Sequence, residues 1–596
     1  MGRFAAAYKR LDSTTRTSEK VAALEDYFRH AAPRDAAWAL WFLVGGRPKR
    51  VASAPELRRW VAQETGLDGW LVDECHGAVG DLSETITLLL PEPIATADPP
   101  LWEVAAGLRS MRRLGPRERH ERVVAWWRSC DRWSRLVLHK LVSGSFRVGV
   151  SRALAVRALA GVSGLDPATL EHRVMGAWEP TEEALARIVR APEPAGPAAD
   201  GPADLRPYPF CLAVHLADGP EALGDPGQWL AEWKWDGVRG QLICRRGAVA
   251  LWSRGEEVIT DRFPEIAAAA SDLPDGTVLD GEVLAWDDQA GVLLEGPAGG
   301  AGVGDAGPGV RGRPMPFAQL QTRVTRAGQE SRLFHDVPAV FMAYDLLEDR
   351  GRDVRGLGTL ERRRALEGLL PEAGPGAAAG GAAAAGVAGA IRRSPAWLAH
   401  QWGELAAQRA RSRQLGVEGL MLKHVAGPYG VGRARQGAPG WWKWKIDPYT
   451  IDAVLVGAQR GSGRRASLYT DYTFALWSGP EPGAGELVPV AKAYSGLSDP
   501  EILLVDRYVR QRAADPGLRA GPRAVEPGLV FELAFDGVTR SARHRSGLAV
   551  RFPRMARWRH DKSPAQADTL ATLAAMLPAG LAGLPRGGDG RGGRRR

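Results

Sequence analysis

Residues 232–239, Glu232-Trp233-Lys234-Trp235-Asp236-Gly237-Val238-Arg239, are the stretch from which this chain is best read. They close a short apolar run, WLAEW, and set one lysine between two tryptophans, just ahead of an Asp-Gly turn. Lysine is scarce here: ten lysines stand against 68 arginines in the 596 residues. A lysine kept in so arginine-rich a background is informative, and five of the ten (Lys234, Lys423, Lys443, Lys445 and Lys562) fall in short segments of this kind. A lysine amine attacks phosphorus or a carbonyl carbon only when neutral, so a nucleophile needs its pKa lowered by neighbouring cations or by desolvation. WWKWKID places Lys443 and Lys445 two residues apart, on one face of a strand. Their ammonium groups are expected to face Lys234, depress its pKa and hold a phosphate. The segment also reads as an exposed basic strand beside an aromatic cluster.

Outward from this stretch the pattern changes twice. Residues 207–446 carry short β-rich runs (AEWKWDGVRGQLICRR, TVLDGEVLAW, AVFMAYDLLE, GLMLKHV) separated by helical segments, which is an α+β pattern. Two inserts, 290–313 (Gly-rich) and 373–390 (Ala and Gly), cannot bury enough surface to order themselves and are expected to be mobile surface loops. Before it, residues 1–190 repeat apolar positions at spacings of three and four, as in TRTSEKVAALEDYFRHA, and read as one all-α domain. Residues 191–206, APEPAGPAADGPADLR, have no hydrophobic period and mark a linker. Residues 447–575 alternate as about five strands with one helix, the content of a small OB-like barrel, and 576–596 end the chain as a flexible basic tail.

The charge balance, 78 basic against 69 acidic residues or +9, favours a polyanionic partner. Arginine is densest between residues 109 and 157, where SGSFRVGVSRALAVRALA sets a Ser-Gly turn before a helix carrying Arg147, Arg152 and Arg157. Free N–H groups at such a helix start, together with these side chains, suit phosphate; a solvated basic face fits equally well. With 45% hydrophobic and 25% charged residues the chain has the balance of a folded soluble protein. No window approaches the roughly 18–20 apolar residues of a membrane span, and the N-terminus lacks a signal-peptide core, so a cytoplasmic protein is expected. Cys75, Cys130, Cys211 and Cys244 are too scattered for a CxxC zinc pair and are expected to be buried thiols.

After Lys234 the chemical segments follow in order: Trp-Ser-Arg254, Asp280-Gly281-Glu282, Tyr344-Asp345, Glu418-Gly419-Leu-Met-Leu-Lys423, Lys443 and Lys445, then Arg551-Phe-Pro-Arg554 and Arg559-His-Asp561-Lys562. This succession, from 232 to 562, resembles the covalent nucleotidyltransferases, the superfamily of ATP-dependent DNA ligases and mRNA capping enzymes. SGSFRVGVSRALAVRALA is similar to a segment of the DNA-binding domain ahead of the core in larger ATP-dependent DNA ligases, so the whole resembles the three-domain bacterial ligases of DNA repair. The resemblance implies a helical DNA-binding domain, an α+β adenylation domain and an OB-fold barrel. It implies Lys234 as the nucleophile toward the α-phosphorus of ATP, Glu232 at the adenine edge and Tyr344 stacked on the base. Arg239 and Arg254 would bind ribose or the 5′-phosphate of a nick. Glu282 and Glu418 are hard oxygen ligands suited to Mg²⁺ or Mn²⁺. Lys443 and Lys445 would hold the α-phosphate, while Arg554 and Lys562, with Asp561, would orient the pyrophosphate. His560 has no assigned role.

The implied activity seals 5′-phosphate/3′-hydroxyl nicks in duplex DNA through lysyl-AMP, in a monomeric, nucleoid-associated bacterial protein; no segment names a protein partner. An RNA ligase and a capping-type guanylyltransferase share the lysine and barrel segments, but a capping enzyme normally lacks the large helical domain. An NAD-dependent ligase would carry a zinc-finger cysteine set, and a non-catalytic nucleic-acid-binding scaffold would have lost at least one of Lys234, Glu282, Glu418 or Lys445.

Overall fold

Strong local signals start and stop the N-terminal helices. The helix Ala54–Thr65 opens on Ser53, which accepts from the Glu56 N–H while Glu56 accepts from the Ser53 N–H, and it closes on Gly66 at φ +70°. The computed structural model describes residues 1–47, 50–93, 96–144, 146, 148–176, 178–190, 205–217, 219–291, 293–294, 310–325, 337–370, 389–433, 440–461, 467–513 and 523–577. Among them, helices from Gly2–Ser13 to Arg132–Val142 bury Phe4, Leu40, Leu57, Trp127 and Leu138 against one another. No helix among the described residues is long and apolar enough to cross a membrane.

The chain forms two compact units, 1–155 with 447–596, and 156–446. Residues 156–190 share the helical period of the segment before them, yet belong to the second unit. The ring of His172 stacks on Tyr208 at 5.2 Å, and the Gly176 N–H donates to Glu256.

The second unit is built on two sheets. One runs in the order Ala396–Leu398, Trp229–Trp233, Gly419–His424, Trp441–Lys445, Val214–His215. The other has the path Arg352–Asp353, Ala339–Asp349, Thr277–Asp287, Val238–Arg245, Ala248–Ser253. Trp229, Trp233 and Leu420 from the first pack with Leu284, Trp286 and Met342 from the second. Each such buried side chain contributes about 2–3 kcal/mol of apolar transfer. The far face of the second sheet is covered by the short helix Pro264–Ala270 and by Thr359–Leu369, through Ile266 and Leu366. Lys234 to Gly237 is the turn that carries the chain from one sheet to the other. Gly237 is required there, since a Cβ would stand 2.2 Å from the Val283 carbonyl.

The insert 290–313 starts and ends in a ladder, Leu293–Leu294 against Val310–Arg311, with Leu294 buried, so its base is structured. Residues 295–309 of it lie outside the described residues, as do 371–388 around the second insert, 191–204 of the linker and 578–596 of the tail.

In the first unit, residues 447–577 form an antiparallel sheet in the order Leu487–Ala493, Tyr469–Trp477, Tyr449–Arg460, Val530–Phe535, Arg554–Trp558. A hairpin, Gly537–Arg540 with Leu548–Arg551, and the helix Asp499–Arg512 complete this β-rich region. Its core is aromatic, with Tyr469, Tyr472, Phe474, Phe531 and Phe535 buried against Val505 and Val509 of the helix.

Candidate active site

Lys234 is the first residue past its strand, and its backbone is held on both sides. Its N–H donates to the Gly419 carbonyl at 2.9 Å and its carbonyl accepts from the Glu418 N–H at 2.8 Å. These bonds extend the ladder in which Trp233 faces Leu420 and Glu232 faces Met421. Gly419 permits the close approach: at φ +125° it lies where side chains are disfavoured, and a Cβ would meet the Trp444 carbonyl at 2.3 Å. The Lys234 side chain is therefore aimed by main chain, and its Nζ donates to Glu418 Oε2.

Lys445 Nζ lies 3.4 Å from the same oxygen, because the register sets Lys445 opposite Gly419. The ammonium of Lys445 is thus beside Lys234, with a carboxylate between them that the sequence reading places as a metal ligand. A carboxylate is bound to Lys234 and to Lys445, since like charges gathered in a half-buried site need a counter-charge. Lys443 stands two residues back on the same strand, opposite Met421.

Behind Lys234, Glu232 is 1% exposed, and one of its oxygens pairs with Lys423 Nζ at 2.8 Å. Lys423 is fixed in turn by the Tyr344 carbonyl at 2.9 Å, and its Nζ lies 4.7 Å from the Tyr344 ring centre and 4.2 Å from that of Trp441. The second oxygen, Glu232 Oε1, has no hydrogen-bond partner among the described residues, with Arg363 Nη1 4.0 Å away. Burial holds this carboxyl above its ordinary range, against the pull of Lys423 and Arg363. A buried acceptor lacking a donor is costly, and a nucleobase amine is a donor of the right kind. Lys423, to which the sequence reading gives no role, joins Glu232 to Tyr344, and the donor requirement of Glu232 fits a purine edge.

Glu282 accepts from the Gly237 N–H at 3.2 Å, on the loop that follows Lys234. Burial pushes its carboxyl up to about 8, with Lys234 and Arg239 pulling it down. Glu282 and Glu418 thus lie near Lys234, and hard oxygen donors of this kind would suit a divalent cation. Among the described residues no cluster of three or more His, Cys, Asp or Glu forms an all-protein cage.

Arg239 is more committed than a free ribose ligand. It makes a two-pronged bond to Asp280 (3.2 and 2.7 Å) and also donates to Cys211 O and Tyr429 OH, so four of its five donors are engaged. Arg254, on the adjoining strand turn, joins to Arg239 through a backbone bond of 2.9 Å while its side chain is exposed.

The other expected residues have surroundings of their own. In the first unit, Lys562 Nζ and Arg559 Nη1 share Asp452 Oδ2 at 2.5 and 2.7 Å, Arg559 also grips Asp561, and Arg554 pairs with Asp536 at 3.1 Å. His560 stacks on Trp558 at 4.3 Å. Arg152 donates to the Val44 carbonyl at 3.0 and 3.3 Å, Arg157 is exposed on its helix, and Arg147 lies outside the described residues. The role of Asp280 as the anchor of Arg239, and of Arg363 beside Glu232, has no local signature; Arg363 sits in ERRRALEG, which reads as a solvated helix face.

Comparison with known proteins covers almost the whole length. Residues 211–296 and 309–445 match the model of the ATP dependent DNA ligase domain, residues 1–160 that of the DNA ligase N terminus, and residues 465–562 that of the ATP dependent DNA ligase C terminal region. A probable DNA ligase of Anaeromyxobacter sp. (strain Fw109-5) is 31% identical, over 89% of this chain and 95% of the relative. One of Koribacter versatilis is 28% identical, over 94% and 93%. One of Opitutus terrae is 33% identical over 75% of this chain, which spans only 45% of that relative's length. The solved structure Pmar-Lig_Pre shares the fold, with a TM-score of 0.55 at 15% identity over 94% of this chain and 99% of that one. Matches to three successive ligase regions, in the order of the segments read from the sequence, make this chain a member of the ATP-dependent DNA ligase family.

Proposed function

We propose that the protein seals 5′-phosphate/3′-hydroxyl nicks in duplex DNA by three phosphoryl transfers that begin at Lys234. The observation that carries this reading is the double backbone clamp of Lys234 onto Glu418 and Gly419, which fixes the amine at the mouth of a site holding an orphaned purine-edge acceptor. In the first transfer the Lys234 amine, having lost its proton, bonds to the α-phosphorus of ATP as the bridging α–β P–O bond breaks and pyrophosphate leaves. In the second, the 5′-phosphate of the nick takes AMP from Lys234, restoring the amine. In the third, the 3′-hydroxyl attacks the activated 5′-phosphate and AMP leaves. Such chemistry asks mainly for in-line placement and charge neutralisation.

Each side chain has a part to which its surroundings suit it. Glu232 accepts from the adenine amine through Oε1, Tyr344 offers its ring to the base, and Lys445 and Lys443 hold the α-phosphate. Arg239, braced by Asp280, has one donor left for ribose. Glu282 and Glu418 would hold Mg²⁺, which when bound supplies neutralisation of phosphate charge. Arg554 and Lys562 orient pyrophosphate, and Arg157 contacts backbone phosphate.

Sealing of nicked DNA and nicked RNA, each with ATP, GTP or NAD as the only nucleotide, tests the assignment. The reading requires sealing of nicked DNA with ATP. Faster sealing of RNA, or sealing driven by NAD, would replace it.

A further inference from the structure

A groove of about 380 Å³ opens beside Glu282 and runs from Gly237 and Arg239 to the turn that carries Arg262. Its lining brings together Arg254, expected from the sequence to bind ribose or the 5′-phosphate of a nick, and Arg262, which no part of the reaction above uses. Arg262 closes the short turn Thr260–Arg262, and that turn is fixed to an unusual degree for an exposed edge. Its neighbours Ile259 and Phe263 are buried, the Ile259 N–H bonds to Leu251 O at 2.8 Å, and Thr260 Oγ1 accepts from the Leu251 N–H at 2.9 Å. The Arg262 carbonyl accepts from Nε of Arg323 at 3.0 Å. Arg323 is itself almost wholly buried, pinned by the Val337 carbonyl and Glu265. Burying a guanidinium is expensive unless its donors are matched, so this arginine is an anchor whose effect is to hold the Arg262 turn in place.

The Arg262 head group is held loosely by comparison. Its ion pair is to Glu257 at 3.9 Å, beyond hydrogen-bond length, and Glu257 is 70% exposed. A positioned arginine with a yielding partner, beside a second arginine in one groove, is what a chain of phosphates requires.

We infer that this groove takes the sugar–phosphate backbone of the strand that carries the nick's 5′-phosphate, with Arg254 toward that terminal phosphate and Arg262 on a phosphodiester next to it. The inference rests on the ligase reading and adds a DNA-contact residue to it. Such a contact is blind to base identity and releases counterions, so it adds to affinity and to salt dependence without adding specificity.

The test is the affinity of the full-length protein for a nicked duplex across a salt series, for the wild type, Arg262→Ala and Arg262→Lys, with thermal unfolding to show that the variants fold. Arg262→Ala is expected to weaken binding roughly tenfold at low salt and to reduce the slope of log K against log salt by about one, while Arg262→Lys restores most of the slope. An unchanged slope in Arg262→Ala overturns the inference, as does a raised KM for ATP with unaltered DNA binding, which would assign the groove to the triphosphate. AMP labelling of the wild type, followed separately, reports on the ligase reading itself.

Discussion

Glu418 holds two lysines through one oxygen, and its charge rather than its shape keeps Lys234 and Lys445 together. Glu418→Gln preserves size and most hydrogen bonding, so it is expected to fold normally but to lose self-adenylation by about a hundredfold or more, the scale seen when a charge-stabilising group is removed from a reacting centre. A burst of AMP incorporation at wild-type rate would contradict that. Glu232 behaves differently because it is wholly buried. Glu232→Leu strands the Lys423 ammonium and is expected to lower unfolding free energy by about 3–5 kcal/mol, measured by denaturant titration. At this scale the sequence is informative about the residues proposed to act on the nucleotide: scarce lysines and the order of the segments single out Lys234, Glu418, Glu282 and Lys445, and draw attention to Lys423 without giving it a role. It is silent about buried charge partners. Nothing local in ERRRALEG says that Arg363 turns inward, and Arg239 seen in isolation gives no sign that Asp280 and Tyr429 already occupy most of its donors.

Among the elements, the backbone clamp on Lys234 depends on Gly419, whose φ and proximity to Trp444 exclude a side chain. Gly419→Ala is expected to displace Glu418 and the Lys234 backbone together, abolishing AMP labelling while nicked-duplex binding persists; labelling at the wild-type level would show that the clamp is dispensable. A second prediction belongs to the short helix Pro167–Arg173. Burial, reinforced by Arg355, Arg245 and Arg206, lowers His172 to about 4, with Asp353 opposing. The native state therefore binds fewer protons than the unfolded chain between pH 6.5 and 4. The contribution of His172 to stability is complete above 6.5 and is lost as pH falls toward 4, by up to about 3 kcal/mol. His172→Phe, which keeps a ring against Tyr208, is expected to flatten that part of the stability–pH curve; an unchanged curve would disprove it. Helical periodicity announces this helix correctly but not its packing partner, because a His–Tyr stack across 36 residues leaves no periodic trace. For the same reason the residue pattern of the 290–313 insert shows its glycines and not the ladder at its base.

For the molecule as a whole, the helical, two-sheet and β-rich regions follow the three composition regimes of the sequence, and the ligase family matches fall on them in order. A net charge of +9 with no base-reading motif is expected to give binding to nicked duplexes that is insensitive to sequence and falls at least tenfold between roughly 50 and 200 mM salt. Binding that survived that change would point to recognition by shape or base contacts. The claim on which the rest depends is that Lys234 becomes covalently adenylated. Incubation of the full-length protein with Mg²⁺ and ATP labelled at the α-phosphate, followed by peptide mapping, measures this directly. The account predicts a single AMP on the peptide containing Lys234, absent from Lys234→Ala and discharged by nicked DNA. Label that is missing from the wild type, or that persists on another residue in the variant, would contradict it.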